Sequence, residues 1–200
     1  SRALNFLGPN GNARIAETDP LRINSTEFEP TPSLNFTASD FAEEDNGGGT
    51  IDLGSSDLEL PNDGGTNQTV GILFSGISLD QGQVVSSAYI QFEADEVRTG
   101  VVNLTIEGEL STSAALYDGA DDTNVSTRTT TSATPVSWSP PDWNTIGEAG
   151  AAQQTPDLTA IVQEIVDQGG WTNGNNMSFI ITGTALSGTD RRTAETDPIL

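Results

Sequence analysis

The sequence predicts an all-β fold, an antiparallel β-sandwich or barrel with one short α-helix and an extended N-terminal arm. Residues 33–200 contain recurrent runs of β-branched and aromatic residues, separated by turn-forming residues roughly every ten positions. Only residues 156–168 have the apolar spacing of an amphipathic helix. A chain of 200 residues can bury a hydrophobic core without disulfide bridges, and this chain has no cysteine.

Residues 1–32 form the predicted arm, and residues 33–200 form the predicted β-sandwich domain. The arm is polar, and its proline residues and the turn at 8–11 interrupt regular structure. It contains too few apolar residues to build a core of its own: Leu4, Phe6, Leu7, Leu21 and Ile23 are the main ones.

The strands are predicted from alternation of apolar and polar residues, or from short β-branched and aromatic runs bounded by turns. Leu34, Phe36 and Ala38 alternate with Asn35 and Thr37, as in a half-buried strand. In chain order, the predicted strands are 34–38, 50–53, 57–60, 69–74, 88–92, 101–110, 134–138 and 177–182.

The helix prediction depends on capping residues and on an apolar stripe. Thr155 is a good N-cap, Pro156 suits the first helical position, and the carboxylate of Asp157 favours the helix dipole. Gly169 and Gly170 end the pattern, and Trp171 is expected to pack back against the stripe or the sheet. Residues one and two turns apart form the stripe: Leu158, Ile161, Val162, Ile165 and Val166.

The charge balance excludes several classes of partner. The chain has 29 acidic and 7 basic residues, a net charge of −22, and it lacks histidine. Such a negative field repels nucleic-acid backbones and anionic membrane surfaces, so we predict no nucleic-acid binding. No apolar run is long enough for a transmembrane helix, so membrane insertion is not expected.

One peptide occurs twice in the chain. Residues 14–21 (RIAETDPL) match residues 192–199 (RTAETDPI) at six of eight positions, and a further position has leucine in place of isoleucine. Only this motif is duplicated. The repeat indicates either a module cut from a tandem array or a subunit whose N-terminal peptide can occupy the place of a C-terminal one. Both interpretations favour assembly over catalysis.

Catalysis is not expected. Without histidine, cysteine or lysine, the chain lacks the usual general bases and nucleophiles. Paired carboxylates could hydrolyse glycosides, but the candidates alternate along predicted strands, which places them on a solvent face in any case. These candidates are Glu93, Asp95, Glu107 and Glu109.

An acidic cluster followed by asparagine and three glycines is the candidate cation site. Calcium prefers six to eight oxygen ligands, which carboxylates in flexible glycine-rich loops supply. The alternative is a solvated acidic loop. A second, weaker candidate is the acidic segment 118–122. The expected Ca²⁺ ligands are Asp40, Glu43, Glu44, Asp45, Asp57 and Glu195, with Glu59 close by.

Aromatic residues suggest a possible glycan contact. Trp143 lies in a proline-rich loop and is expected at the surface, with Tyr117 as the second candidate. The alternative for both is packing at the rim of the sandwich, and Trp138 is expected in the core. Arg191, Arg192 and Arg14 are expected to form structural ion pairs with the abundant carboxylates.

The order of several motifs is similar to the DNRLRE-type β-sandwich modules of bacterial and archaeal surface proteins, some of them classed as carbohydrate-binding. The likeness covers about residues 33–200. Its motifs are VGILFSGI at 70–77, GQVVSSAYIQF at 82–92, VSW at 136–138, DLTAIVQEIV at 157–166 and the Arg-x-Ala-Glu tail. The resemblance implies a jelly-roll sandwich and an extracellular role, but no single activity. Such modules close with a further apolar strand after the tail motif, which is absent here.

These observations predict a structural subunit of an extracellular filament or surface matrix, whose partners are copies of itself. A missing closing strand would expose a sheet edge that an extended peptide from another chain can fill. The alternative is a carbohydrate-binding module of a secreted multidomain protein, with polysaccharide as partner. The start at Ser1 and six N-x-[S/T] sequons favour export. The predicted assembly residues are Leu4, Phe6, Leu7, Arg14, Glu17, Leu21 and Ile23.

Overall fold

Antiparallel β-strands dominate the structure, a computed structural model that describes residues 33–47, 49–185, 187 and 190–200. Predictions for residues 1–32, including all seven assembly residues, lie outside the described residues. The single helix is α1 (Thr159–Val166). The strands are β1 (Ala38–Asp45), β2 (Ile51–Asp52), β3 (Leu58–Leu60), β4 (Asn62–Asp63), β5 (Thr66–Ile77), β6 (Val102–Gly108), β7 (Val136–Trp138), β8 (Asn175–Ala185) and β9 (Arg192–Ala194).

Seven of these strands form one antiparallel sheet. Its order is β2–β1–β5–β8–β6–β7, with β4 paired to β5. The long central strands β5 and β8 pair Val70 with Ile181 and Ile72 with Phe179. Alternate residues of β5 and β8 therefore point the same way, and one face of the sheet carries a continuous apolar surface.

A two-stranded sheet pairs β3 with β9, and hydrogen bonds extend it into a second layer. Single bridges join Ala94 to Ala194 and Gln91 to both Gln154 and Ile199. The segment 88–92, predicted as a strand, thus pairs only through isolated bridges. The predicted mostly-β antiparallel fold with one short helix is confirmed.

The main core contains the apolar face of the large sheet and the buried residues of the second layer. Phe74 and Phe179 meet edge to face with ring centroids 5.9 Å apart. Phe92 of the second layer stacks on Trp138 of β7 at 5.7 Å. Trp171 is buried and its indole N–H donates to the Leu79 carbonyl at 2.9 Å, so the prediction that it packs back is confirmed.

Helix α1 is shorter than predicted, and Thr155 is not its cap. The Thr155 hydroxyl accepts a hydrogen bond from the Ile90 N–H at 2.9 Å, and its own N–H donates to the Ile90 carbonyl at 3.0 Å. The chain before the helix is therefore held alongside residues 88–90, and α1 begins at Thr159, whose N–H donates to Asp157 at 2.9 Å. The apolar stripe is buried as predicted.

The opposite face of the large sheet is covered by a loop that carries Tyr117. This ring lies against Gly71 of β5, and its hydroxyl is 2.7 Å from that of Ser178. The Arg128 guanidinium lies 4.1 Å from the ring centroid and pairs with Glu109 at 2.7 Å. The loop therefore forms a second, smaller core with Leu73 and Ile180. No helix among the described residues is long and apolar enough to span a membrane.

We expect Gly71→Ala to destabilise the fold, because a Cβ at this position would lie 2.5 Å from the Tyr117 ring and hydroxyl. Overpacking of this kind costs about 1–3 kcal/mol in the free energy of unfolding. Urea denaturation followed by circular dichroism measures the loss. The control is Gly169→Ala, where a Cβ meets nothing within 4 Å. Equal stability of the two variants would contradict the described contact.

Candidate assembly site

The C-terminal tail, residues 190–200, is paired on both of its sides. Its first part, β9, pairs with β3, and on its other side the Asp95 N–H donates to the Thr193 carbonyl at 3.0 Å. The Glu195 N–H continues this ladder to the Glu93 carbonyl at 3.0 Å. The tail is therefore an internal strand of the second layer and not an edge.

The last residues of the tail keep neighbours on both sides. Ile199 and Gln91 exchange two peptide hydrogen bonds of 2.7 and 2.9 Å. Leu200 and Phe36 exchange two more, of 2.9 and 3.1 Å, and the Ala38 N–H donates to the Pro198 carbonyl at 2.9 Å. The segment 34–37, which was predicted as part of a strand but precedes β1, is thus joined to the segment 88–92 through the tail.

Beyond Leu200, the two flanking segments continue with unpaired peptide groups. Hydrogen-bonded pairs recur at every second residue of an antiparallel ladder, so the next pairs would involve Tyr89 on one side and Leu34 on the other. The peptide groups of both residues make no hydrogen bond to another described residue. We call the strand position between them the open position.

Apolar surface accompanies the open position. The side chains of Tyr89 and Leu34 are 45% and 41% exposed. Leu200 faces inward and packs against the main core, whereas Ile199 is 40% exposed. Other half-buried apolar residues that pack against the same core come from both flanking segments and the adjoining loop: Phe36, Leu79, Val85 and Ala88.

Arg192 anchors the tail through peptide carbonyls. Its side chain is 1% exposed. Nε donates to the Pro141 carbonyl at 2.8 Å, and Nη2 donates to the carbonyls of Gly100 and Pro140 at 2.7 and 3.1 Å. Among the described residues, its only carboxylate contact is with Asp142, at 3.4 Å. Hydrogen bonds to carbonyls therefore hold Arg192 more closely than the expected ion pair does. A guanidinium suits this role because its donors point in several fixed directions.

Arg191, in contrast, forms the ion pairs that were expected of it. Its guanidinium lies 3.0 Å from Asp63, 3.6 Å from Glu96 and 3.8 Å from Glu59. The carboxylates of β3, β4 and the segment after residue 95 are thus joined to the start of the tail.

A buried pair of carboxyl groups lies beside this cluster. Glu43 on β1 accepts hydrogen bonds from the Glu59 N–H at 2.8 Å and from the Gln68 amide at 2.7 Å. Burial raises the pKa of Glu43. Burial, and then the charges of Glu43, Asp57 and Asp63, raise the pKa of Glu59 to about 8, and Arg191 opposes this only in part. Glu59 therefore keeps its proton to a higher pH in the folded protein than in the unfolded chain.

The acidic residues of the predicted calcium cluster point in different directions. Asp40 accepts the Tyr117 N–H at 2.8 Å, and Glu44 accepts the N–H groups of Val125 and Ser126 at 2.9 and 2.8 Å. Glu43 points to the other side of the sheet, because strand residues alternate. Asp45 caps the turn at Gly47 with a bond of 2.7 Å.

The remaining expected ligands do not complete a cation site. Asp57 is half-buried and accepts a hydrogen bond from the Ser56 hydroxyl. Glu195 lies in the tail, and burial followed by the charge of Asp95 raises its pKa. Asp118 and Asp121 accept peptide N–H groups of their own loop. Across the part of the chain that is described, no three acidic side chains are placed to hold a metal ion together. Calcium binding stays a prediction without a formed site.

Neither aromatic residue expected to contact a glycan is at the surface. Trp143 is fully buried, and its indole N–H donates to the Ala152 carbonyl at 3.0 Å. Its backbone forms a bridge to Arg98, which holds this part of the proline-rich loop beside residue 98. Tyr117 is 6% exposed. The surface position predicted for Trp143 is therefore wrong, and the rim-packing alternative describes both residues better; Trp138 is buried as predicted.

Sequence reasoning missed the residues that bound the open position. The sequence indicates β-rich segments at 34–38 and 88–92, but nothing in it shows that the tail lies between them. No protein-family model matches this chain, and no curated protein matches its sequence.

We expect Arg192→Lys to lower the free energy of unfolding by about 2–4 kcal/mol, because one ammonium cannot replace the bonds that the buried guanidinium makes to three carbonyls. Chemical denaturation measures the change. Arg98→Lys is the control, since the Arg98 side chain is 29% exposed and exposed pairs contribute less than about 1 kcal/mol. Similar losses in both variants would show that the carbonyl set contributes nothing special.

Stability should fall as pH rises from about 4.5 to 8, because the pKa of Glu59 is raised above its ordinary value and the folded state binds the extra proton. Glu59→Gln replaces the protonated carboxyl with a neutral group of the same shape. It should be more stable than the parent by on the order of 2 kcal/mol near pH 9, with little difference near pH 4. Thermal unfolding across this range tests it, with Glu148→Gln at an exposed site as control. Parallel pH curves for the parent and Glu59→Gln would rule out the buried proton.

Proposed function

We propose that this protein is a structural subunit of an extracellular filament or surface matrix, and that it assembles through its N-terminal arm by donor-strand contacts. The open position is the observation that carries the proposal. The peptide groups of Leu34 and Tyr89, on two segments that both pair with the tail, have no partner among the described residues and provide the template that a further strand requires. Exposed Tyr89 and Leu34 beside it add apolar surface for that strand to cover.

The arm has the composition that such a strand needs. An added strand gains affinity from main-chain hydrogen bonds and specificity from alternate side chains that enter the core. Leu4 and Phe6 alternate with polar or small residues, and Leu21 and Ile23 flank Arg22. A contact in which the arm of one subunit enters the next is head to tail, so it propagates into a filament unless it closes into a ring.

The layer arrangement supports a jelly-roll-like sandwich of the DNRLRE type. The main core includes residues of the large sheet, such as Ile72 and Phe179, together with Phe92 and Ala194 of the second layer. The helix stripe contributes to the same core, as expected for a helix that closes one end or edge of a sandwich.

Surface chemistry supports an exported subunit. The net charge of −22 keeps isolated subunits apart until salt screens their repulsion, which suits assembly in a saline exterior. The sequon residues Asn35, Asn67 and Asn103 are exposed, as glycan attachment requires. The proposed partners are therefore further copies of the same chain.

Deletion of residues 1–32 should leave a folded monomer that cannot polymerise, because the open position would lack its strand. Negative-stain microscopy and sedimentation of parent and truncated protein, at equal salt and concentration, measure polymerisation. Circular dichroism confirms that the truncated chain is folded. A full-length variant with the sequence of residues 1–32 scrambled controls for arm length and charge, and it should also stay monomeric. Fibres of the same form from the truncated chain would exclude the proposal.

A further inference from the structure

We infer that residues 14–21 are a second tail strand, able to replace residues 192–199 between β3 and residues 93–95 of the same chain. We call this strand position the tail slot. Two observations support the exchange: the repeated peptide, and the contacts that its copy at 192–199 makes in the structure. The exchange concerns the slot that the tail fills and not the open position, so it goes beyond the proposed function.

The residues that the tail slot buries are largely the ones that the arm repeats. Four of the eight residues at 192–199 are buried, and the arm has the same residue at three of those four positions. The buried tail residues are Arg192, Thr193, Ala194 and Pro198. Their equivalents in the arm are Arg14, Ile15, Ala16 and Pro20. The repeat therefore preserves most of the side chains through which the slot holds its strand.

The partners of the shared arginine belong to the domain and not to the tail. Arg192 donates to the carbonyls of Gly100, Pro140 and Pro141 at 2.7–3.1 Å. These acceptors stay in place whichever strand fills the slot. Arg14 would bring an identical guanidinium, with the same fixed donor directions, to the same three oxygens.

The shared alanine occupies a position where only a small side chain fits. Ala194 is fully buried in the main core, opposite Leu58 of β3 on one side and Ala94 on the other. A larger side chain would overpack this part of the core, which is unfavourable. Ala16 meets the same requirement.

Two differences explain why the tail and not the arm fills the slot in the structure. Arg191, directly before the tail copy, pairs with three carboxylates, and Ala13 stands at the equivalent place in the arm. The Thr193 hydroxyl donates to Glu96 at 2.8 Å, whereas Ile15 keeps the β-branched shape but has no hydroxyl. The arm is therefore the weaker occupant, and the exchanged form is a minor state of the folded protein.

The connection between arm and domain lets the arm reach the slot of its own chain. The tail runs antiparallel to residues 36–38, which follow the arm in the sequence. With Leu21 as the last exchanged residue, residues 22–33 form a return loop between two neighbouring antiparallel strands. This loop is long enough, because such strands lie only about 5 Å apart. Arg22 falls where Leu200 packs on the core, so the exchanged strand ends before it.

Disulfide trapping tests the exchange, because the chain has no cysteine to interfere. Ala94 bridges Ala194, so Glu93 lies opposite Glu195 and, after exchange, opposite Glu17. Residues opposite each other have Cβ atoms about 4.5–5.5 Å apart, which a disulfide can approach. Slow oxidation of a Glu17→Cys, Glu93→Cys variant in dilute solution should therefore accumulate a cross-link within the monomer. Peptide mapping by mass spectrometry without reduction measures its yield.

Matched variants separate the exchange from chance encounters of the arm. Glu27→Cys, in the arm but outside the copy, should cross-link to Glu93→Cys at least tenfold less than Glu17→Cys does. Adding Arg14→Gln should lower the yield of the 17–93 cross-link at least fivefold, whereas Arg22→Gln should leave it unchanged. These changes lie in the arm, so they leave the described domain intact.

A variant of the tail tests the competition for one slot. Arg191→Gln removes ion pairs that only the tail makes, so it should raise the yield of the 17–93 cross-link at least threefold. Circular dichroism confirms that this variant is folded. Glu195→Cys with Glu93→Cys is the positive control, because these residues are already opposite each other, and it should cross-link almost completely.

Three results would overturn the exchange. One is equal cross-linking of Glu17→Cys and Glu27→Cys to Glu93→Cys, and another is a 17–93 cross-link that Arg14→Gln leaves unchanged. The third is a yield that does not rise in folded Arg191→Gln. Cross-links found only between chains would overturn the assignment to the same chain. None of these readouts requires a polymer, so the exchange and the proposed function can fail separately.

Discussion

The placement of the C-terminal tail between two segments far away in the sequence is the constraint on which the rest of the structure depends. The tail bonds to β3 and Phe36 on one side and to residues 91–95 on the other. Each of these partners contributes buried side chains to the main core, among them Leu58, Phe92 and Ala94. Without the tail, the second layer would have no continuous ladder. The apolar face of the large sheet would then lose its cover.

Acidic residues organise much of the irregular backbone around this frame. With few arginines available, carboxylates such as Asp40 and Glu44 accept peptide N–H groups of the loop that covers the outer core. Hydrogen bonds from backbone amides stabilise an ionised carboxylate without a cation. Part of the negative charge that suggested a metal site therefore holds loops in place, and burial raises the pKa values of Glu43 and Glu59, which reduces the repulsion between them.

Sequence periodicity predicted those strands and the helix whose apolar faces can pack against any apolar surface. The alternation in β5 and β6 and the apolar stripe of α1 specify a face to bury, and any apolar neighbour satisfies them. The start of α1 was misplaced because Thr155 binds Ile90, a residue distant in sequence. Trp143 and Tyr117 were misplaced for the same reason, since loop burial depends on long-range bridges. The open position could not be predicted, because it exists only once the tail is aligned between its two neighbours.

The pocket around Arg192 has a consequence for how this fold can vary. Four of its acceptors are main-chain oxygens, at Gly100, Pro140, Pro141 and the neighbouring Arg191. Every amino acid has a main-chain carbonyl, so substitutions in these loops that preserve the backbone conformation also preserve the hydrogen bonds of Arg192. Distant relatives can thus retain the same anchored tail while sharing almost no residues around it. A structural comparison of the loop backbones would reveal that relationship where a sequence alignment does not.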